Sequence, residues 1–95
     1  MELEFTGEVV EWRGPAPHHF VAVPEPEASR IREVARLATY GWGCIPVSGS
    51  LGGSHFTTSL FPRDGGYLVP LKLAVRRRED VVLGDTVRLR IAIDV

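Results

Sequence analysis

Near its C-terminus the chain alternates without interruption. In Thr86-Val87-Arg88-Leu89-Arg90-Ile91-Ala92-Ile93-Asp94, the residues Val87, Leu89, Ile91 and Ile93 fall on one face, and Arg88, Arg90, Ala92 and Asp94 on the other. Period two with one apolar face marks a half-buried strand. Such a strand must cover its apolar face with a second layer and satisfy the backbone groups at its edges. A chain of 95 residues has room for one core, because at this size only about 60–65% of the unfolded surface is buried. Residues 1–95 are therefore expected to form a single domain.

The N-terminus repeats the pattern. Leu3, Phe5, Gly7 and Val9 share a face opposite Glu2, Glu4, Thr6 and Glu8, while Val10 and Trp12 break the alternation and suggest a bulge near residues 7–9 or a strand end. The segment Arg13-Gly14-Pro15-Ala16-Pro17 is a turn, since its prolines cannot donate to a ladder. His19 to Val23 resumes as a short strand and Pro24-Glu25-Pro26 ends it. The period then changes: Ala28, Ile31, Val34, Ala35 and Ala38 recur at three- and four-residue steps, predicting one amphipathic helix over about residues 27–39. Glu25 and Glu27 precede Arg30, Arg32 and Arg36, an order that suits the helix dipole. Gly41 and Gly43 stop the helix, with Gly41 as the left-handed cap.

Short strands follow. Cys44 to Leu51 contains Pro46, which places that strand at an edge or makes Pro46 part of its first turn. Gly52-Gly53 predicts a tight hairpin with Leu51 opposite Ser54 and Ser50 opposite His55. Ser54 to Phe61 is the return strand, Pro62 to Gly66 a turn, and Tyr67 to Val69 a strand ending at Pro70. Leu71 to Arg78 fits either a strand or a helix by periodicity alone. Six short strands and an inserted helix fit a small antiparallel barrel, the architecture that removes sheet edges altogether.

The order of short motifs in the second half is more specific than any one of them. Gly41-Trp42-Gly43, Ile45-Pro46-Val47, Gly52-Gly53-Ser54, Thr58-Ser59-Leu60-Phe61-Pro62, Gly66-Tyr67-Leu68-Val69-Pro70-Leu71-Lys72, Ala74-Val75-Arg76-Arg77 and Gly84-Asp85-Thr86-Val87 occur in sequence. In this the chain resembles a bacterial family, domain of unknown function 1905, over nearly its whole length. The resemblance implies a mainly β fold: a closed six-stranded Greek-key-like barrel with a helix between the second and third strands and a short helix over about 71–78. It transfers no activity. The chain departs from the family pattern at Cys44 and Leu73.

Composition narrows the function. Eleven Lys+Arg against twelve Asp+Glu give a net charge of −1, which argues against strong nonspecific nucleic-acid binding. No apolar run approaches the roughly 20 residues that span a bilayer. The acidic, alternating start is unlike a signal peptide, and a lone cysteine suits a reducing, cytoplasmic setting. His18, His19, Cys44 and His55 are the only soft metal ligands and lack a chelating pair, so neither a metal nor a cofactor is expected. The hairpin register keeps His55 away from Cys44, which removes a thiol–imidazole pair. Ser59 lies outside any Gly-x-Ser-x-Gly elbow. Asp64 and Asp85 read as turn residues that bond nearby backbone amides.

The leading functional candidate is cationic. Lys72, the one lysine beside ten arginines, would lie in the first turn of a helix starting after Pro70, with Arg76 one turn above it on the same side. Free first-turn amides would add positive potential, and Ser59 and Arg63 come from the preceding strand and turn. The expectation is a non-catalytic binding or interaction module with a weak anion site at Lys72, Arg76, Ser59 and Arg63, taking a small anionic ligand or a protein partner. Trp12, Trp42, Phe56 and Tyr67 are the aromatic candidates for stacking on a flat ligand. Two alternatives stand beside this reading. One is a minimal enzyme using Ser59, Lys72 and Arg76. The other is a DNA-binding regulator resembling the swapped-hairpin transcription factors, on the strength of the Gly84-Asp85 turn before a strand.

Overall fold

In the computed structural model, residues 1–12, 18–39 and 43–95 are described. The expected turn at 13–17, the Gly41 cap and Trp42 lie outside them. Six strands appear in chain order: β1 (Glu2–Trp12), β2 (His18–Ala22), β3 (Ile45–Leu51), β4 (Ser54–Arg63), β5 (Gly66–Leu71) and β6 (Thr86–Ala92). Helix α1 (Glu27–Ala38) lies between β2 and β3, and α2 (Leu73–Arg78) between β5 and β6. The strands close into an antiparallel barrel in the order β1-β2-β5-β4-β3-β6. The meander β3-β4-β5 followed by β6 beside β3 is a Greek key.

The alternation does what it predicts. Val87, Leu89, Ile91 and Ile93 are all buried, Leu3 and Phe5 join them across the β1–β6 ladder, and Val9 follows on the same face of β1. β1 has one unbroken alternation and two partners: Glu2–Glu8 pair with β6, and Val9–Trp12 with β2. Val10 and Trp12 therefore keep the parity of the strand and face outward as apolar residues, and Trp12 is the last residue of β1. The core continues through Val21, Ile45, Val47, Leu60, Val69 and Leu71, with Ala28 and Ile31 of α1 and Val75 of α2 packed onto it. α1 lies against β3 and β5, and α2 against β4. α1 ends one residue before the predicted limit, where the Thr39 amide donates to the Ala35 carbonyl.

The Gly52-Gly53 hairpin has the predicted register, Leu51 opposite Ser54 and Ser50 opposite His55. Gly49 faces the core side of β3, where a Cβ would sit 2.6 Å from the Phe56 ring opposite, so glycine there lets the ring lie on the backbone. Gly52 has φ +58°, and a side chain on it would collide with the Glu79 carboxylate. That carboxylate accepts a 2.6 Å hydrogen bond from the hydroxyl of fully buried Ser54, tying the end of α2 to the hairpin.

Two prolines shape the wall. β5 does not stop at Val69; it runs through Pro70 to Leu71. Pro70 faces Phe20 of β2 out of step with the bonded Val23–Tyr67 position, so its missing amide costs that ladder nothing. On the other side β5 pairs with β4 only from Gly66–Arg63 to Leu68–Phe61. Pro70 lies two residues beyond the last of these pairs, at the level of Ser59, and Pro46 faces Ser59 from β3. The wall thus opens between β4 and β5 just past Phe61 and Leu68. Because β5 takes Leu71, the short helix begins at Leu73 and Lys72 precedes it in extended conformation. The predicted start at 71, with Lys72 in the first turn, is corrected accordingly.

Candidate functional site

The opening between β4 and β5 belongs to a cleft of about 650 Å³ on the outside of the barrel, inside the roughly 300–1,000 Å³ range of small-molecule sites. Its walls come from the outward positions of four adjacent strands: Trp12 of β1, His18 and Phe20 of β2, Leu68 and Pro70 of β5, and Phe61 of β4. Phe20 forms the floor. It is only 3% exposed although it points away from the core, because other rings surround it. Its centroid lies 6.2 Å from that of Trp12, 5.9 Å from His18 and 6.4 Å from Phe61, in tilted and edge-on arrangements that aromatic pairs favour. Trp12 and Phe61 remain 47% and 44% exposed.

Among the described residues, the charged side chains lining this cleft are Arg63 and Lys72, and no carboxylate lines it. The Arg63 guanidinium sits 5.1 Å from the Trp12 ring centroid, within cation–π range, and Asp64 in the next turn lies 3.7 Å from its Nε. Lys72 is exposed and forms no ion pair among the described residues. A second, more polar cleft of about 580 Å³ shares Lys72 and Thr58 with the first and adds Ser48, Thr57, Ser59 and Asp94.

The four predicted site residues are therefore divided. Lys72 lines both clefts, Arg63 the aromatic one and Ser59 the polar one. Arg76 lines neither, and its Nε donates to the Leu71 carbonyl at 3.1 Å. The predicted pairing of Lys72 with Arg76 on one helical face does not form. Lys72 lies before the six-residue helix, and Arg76 is turned back onto β5. Of the aromatic candidates, Trp12 lines the cleft, Tyr67 is buried in the core and Phe56 is half-buried over Gly49. The sequence reading missed Phe20, Phe61, Leu68 and Pro70. Their signal was parity: each neighbours a core residue in a strand and so must face outward.

His18 is at the aromatic cleft, His19 has the inward parity of Val21 at the barrel end, Cys44 precedes β3, and His55 is on the exposed side of β4. Among the described residues no group of three or more His, Cys, Asp or Glu side chains could hold a metal ion. Asp85 accepts a hydrogen bond from the Val82 amide, as a turn aspartate does. The Gly84-Asp85 turn is pinned to Val9 by two backbone hydrogen bonds. The strand it feeds closes the barrel between β1 and β3 of the same chain, unlike the intertwined hairpin of the swapped-hairpin regulators. No helix among the described residues is long and apolar enough to cross a membrane.

A family model described as a domain of unknown function, DUF1905, matches residues 5–91. The chain belongs to the DUF1905 family. The match reaches from Phe5 in β1 to Ile91 in β6, so it includes every residue lining the aromatic cleft. A search of curated proteins gives no match.

Proposed function

We propose that this DUF1905 domain is a non-catalytic binding module and that its ligand is a small amphipathic anion. The apolar, preferably flat part of the ligand lies on Trp12, Phe20 and Phe61. Lys72 holds its carboxylate or phosphate, and Arg63, stacked on Trp12, adds positive potential. One observation carries this reading: a ligand-sized apolar cleft whose charged lining, among the described residues, is cationic, in a chain with more acids than bases. Ligand pockets have this composition, a mostly apolar lining with a few placed polar groups. The minimal-enzyme alternative requires Ser59, Lys72 and Arg76 to act together, and the attachment of Arg76 to Leu71 counts against it.

The test is a titration of the full chain with phenyl phosphate, followed by amide and indole NMR shifts. Shifts should cluster at Trp12, Phe61 and Leu68. Affinity should fall about five- to tenfold in Lys72→Ala and weaken as salt rises. Shifts scattered over the surface, or unchanged in the variant, would refute the reading.

A further inference from the structure

The two clefts share Lys72 and Thr58 but differ in chemistry. On one side of Lys72 the wall is aromatic and aliphatic. On the other, Ser48 and Thr57 face each other across the β3–β4 ladder as exposed hydroxyls, with Ser59 beside them and the Asp94 carboxylate just past β6. Hydroxyls with a carboxylate form a surface that donates to and accepts from a polyol. Lys72 is therefore a single cation at the junction of an apolar compartment and a hydroxyl-lined one.

That placement constrains the ligand. The most direct fit to Lys72 and both compartments is an anionic group that itself carries two organic substituents. A carboxylate cannot itself bridge two substituents, because it has only one attachment point while it keeps its charge, and it needs a branched carbon beside it to reach both sides. A phosphodiester can: it bridges two alcohols and retains one negative charge, matching one ammonium. We propose that the ligand is a phosphodiester joining an apolar alcohol, seated on the aromatic floor, to a polyol or sugar lying along Ser48, Thr57 and Asp94. This rests on the binding reading above and extends it from an amphipathic anion to a three-part ligand.

Three probes separate the two ideas: phenyl phosphate, glycerol 3-phosphate, and the diester that joins phenol and glycerol through one phosphate. The diester should move the amides of both compartments, Phe61 and Leu68 together with Ser48 and Thr57. It should bind about five- to tenfold tighter than phenyl phosphate, the gain expected from one or two added hydrogen bonds. The Ser48→Ala/Thr57→Val double variant, altered only at exposed positions, should bring the diester to the affinity of phenyl phosphate without changing phenyl phosphate itself. If phenyl phosphate binds and the diester binds no tighter, or leaves Ser48 and Thr57 unmoved, the phosphodiester assignment is wrong and the aromatic cleft stands. If none of the probes moves either cleft, both readings fail.

Discussion

The inside and the outside of the β1-β2-β5-β4 wall use the same kinds of residue for opposite ends. Inside, Val9, Val21, Val69 and Leu60 are buried in the common core. One position along each strand, Val10, Phe20, Leu68 and Phe61 point outward. Apolar residues on the core side follow from the need to bury area, at about 25 cal/mol per Å². On the outer side only Phe20 is as deeply buried, while Trp12 and Phe61 stay about half exposed, and β1, β2, β5 and β4 supply such residues to one cleft. The comparison separates what the fold requires from what it carries. Inward apolar residues would be found in any barrel of this size. The outward rings, with Lys72 and Arg63 at their margin, are the chain's particular investment.

The comparison can be sharpened by changes that touch stability and leave the cleft alone. Outside the apolar core, the largest effect is expected at the Ser54–Glu79 bond, which lies in neither cleft. Glu79→Ala leaves a fully buried hydroxyl without its acceptor and should cost about 1–3 kcal/mol in chemical unfolding, with phenyl phosphate affinity unchanged in the folded protein. A coupled loss of affinity would show that cleft and core are not separable.

A smaller effect comes from two exposed carboxylates. Glu4 is held below the ordinary carboxylate range, first by its hydrogen bond from Arg90 and then by the Arg90 charge. Glu25 is held below it by hydrogen bonds from Arg32 and Ser29. A carboxyl whose pKa is lowered on folding adds stability that is complete above its unfolded value and lost as pH falls through the folded one. The native chain should therefore lead a Glu4→Gln/Glu25→Gln variant in Tm at neutral pH. That lead should shrink as acid passes below the ordinary carboxylate value, and salt should narrow it. A lead that grows in acid would contradict the sign.

Much of the fold was legible because it rests on local signals. The alternation of Thr86–Asp94, the helical stripe from Ala28 to Ala38 and the Gly52-Gly53 turn each follow from a few consecutive residues. The six short strands suggested a barrel with no free edges, and the ordered motifs of the family resemblance supplied the Greek-key arrangement and the second helix. The errors lay at element ends. Pro70 appeared to finish a strand because a proline cannot donate, but its bonding parity toward β2 and the absence of a β4 partner at its level let the strand run on. That two-residue extension moved Lys72 out of the helix and removed the Arg76 pairing.

The site was half legible. Lys72, Arg63 and Trp12 could be singled out by charge or by ring. Their convergence depends on the strand order β1-β2-β5-β4, which places residues 12, 20, 61 and 68 together although no short-range pattern links them. Phe20 shows the difficulty most clearly. As a buried phenylalanine in a strand it looks like core, and only its parity against Val21 reveals that it is the floor of an outer cleft.

Leu60 and Phe61 offer the most direct test, since they are consecutive in β4 and face opposite ways, at 0% and 44% exposure. Chemical unfolding and phenyl phosphate titration should be measured side by side on Leu60→Ala and Phe61→Ala. Leu60→Ala should lose about 2–5 kcal/mol of stability while its folded fraction binds as the native chain does. Phe61→Ala should stay within about 1 kcal/mol of the native stability and lose most of its affinity. Equal destabilisation by the two changes, with binding unaffected by the loss of Phe61, would contradict the division between a core that holds the barrel and an outer aromatic cleft that binds.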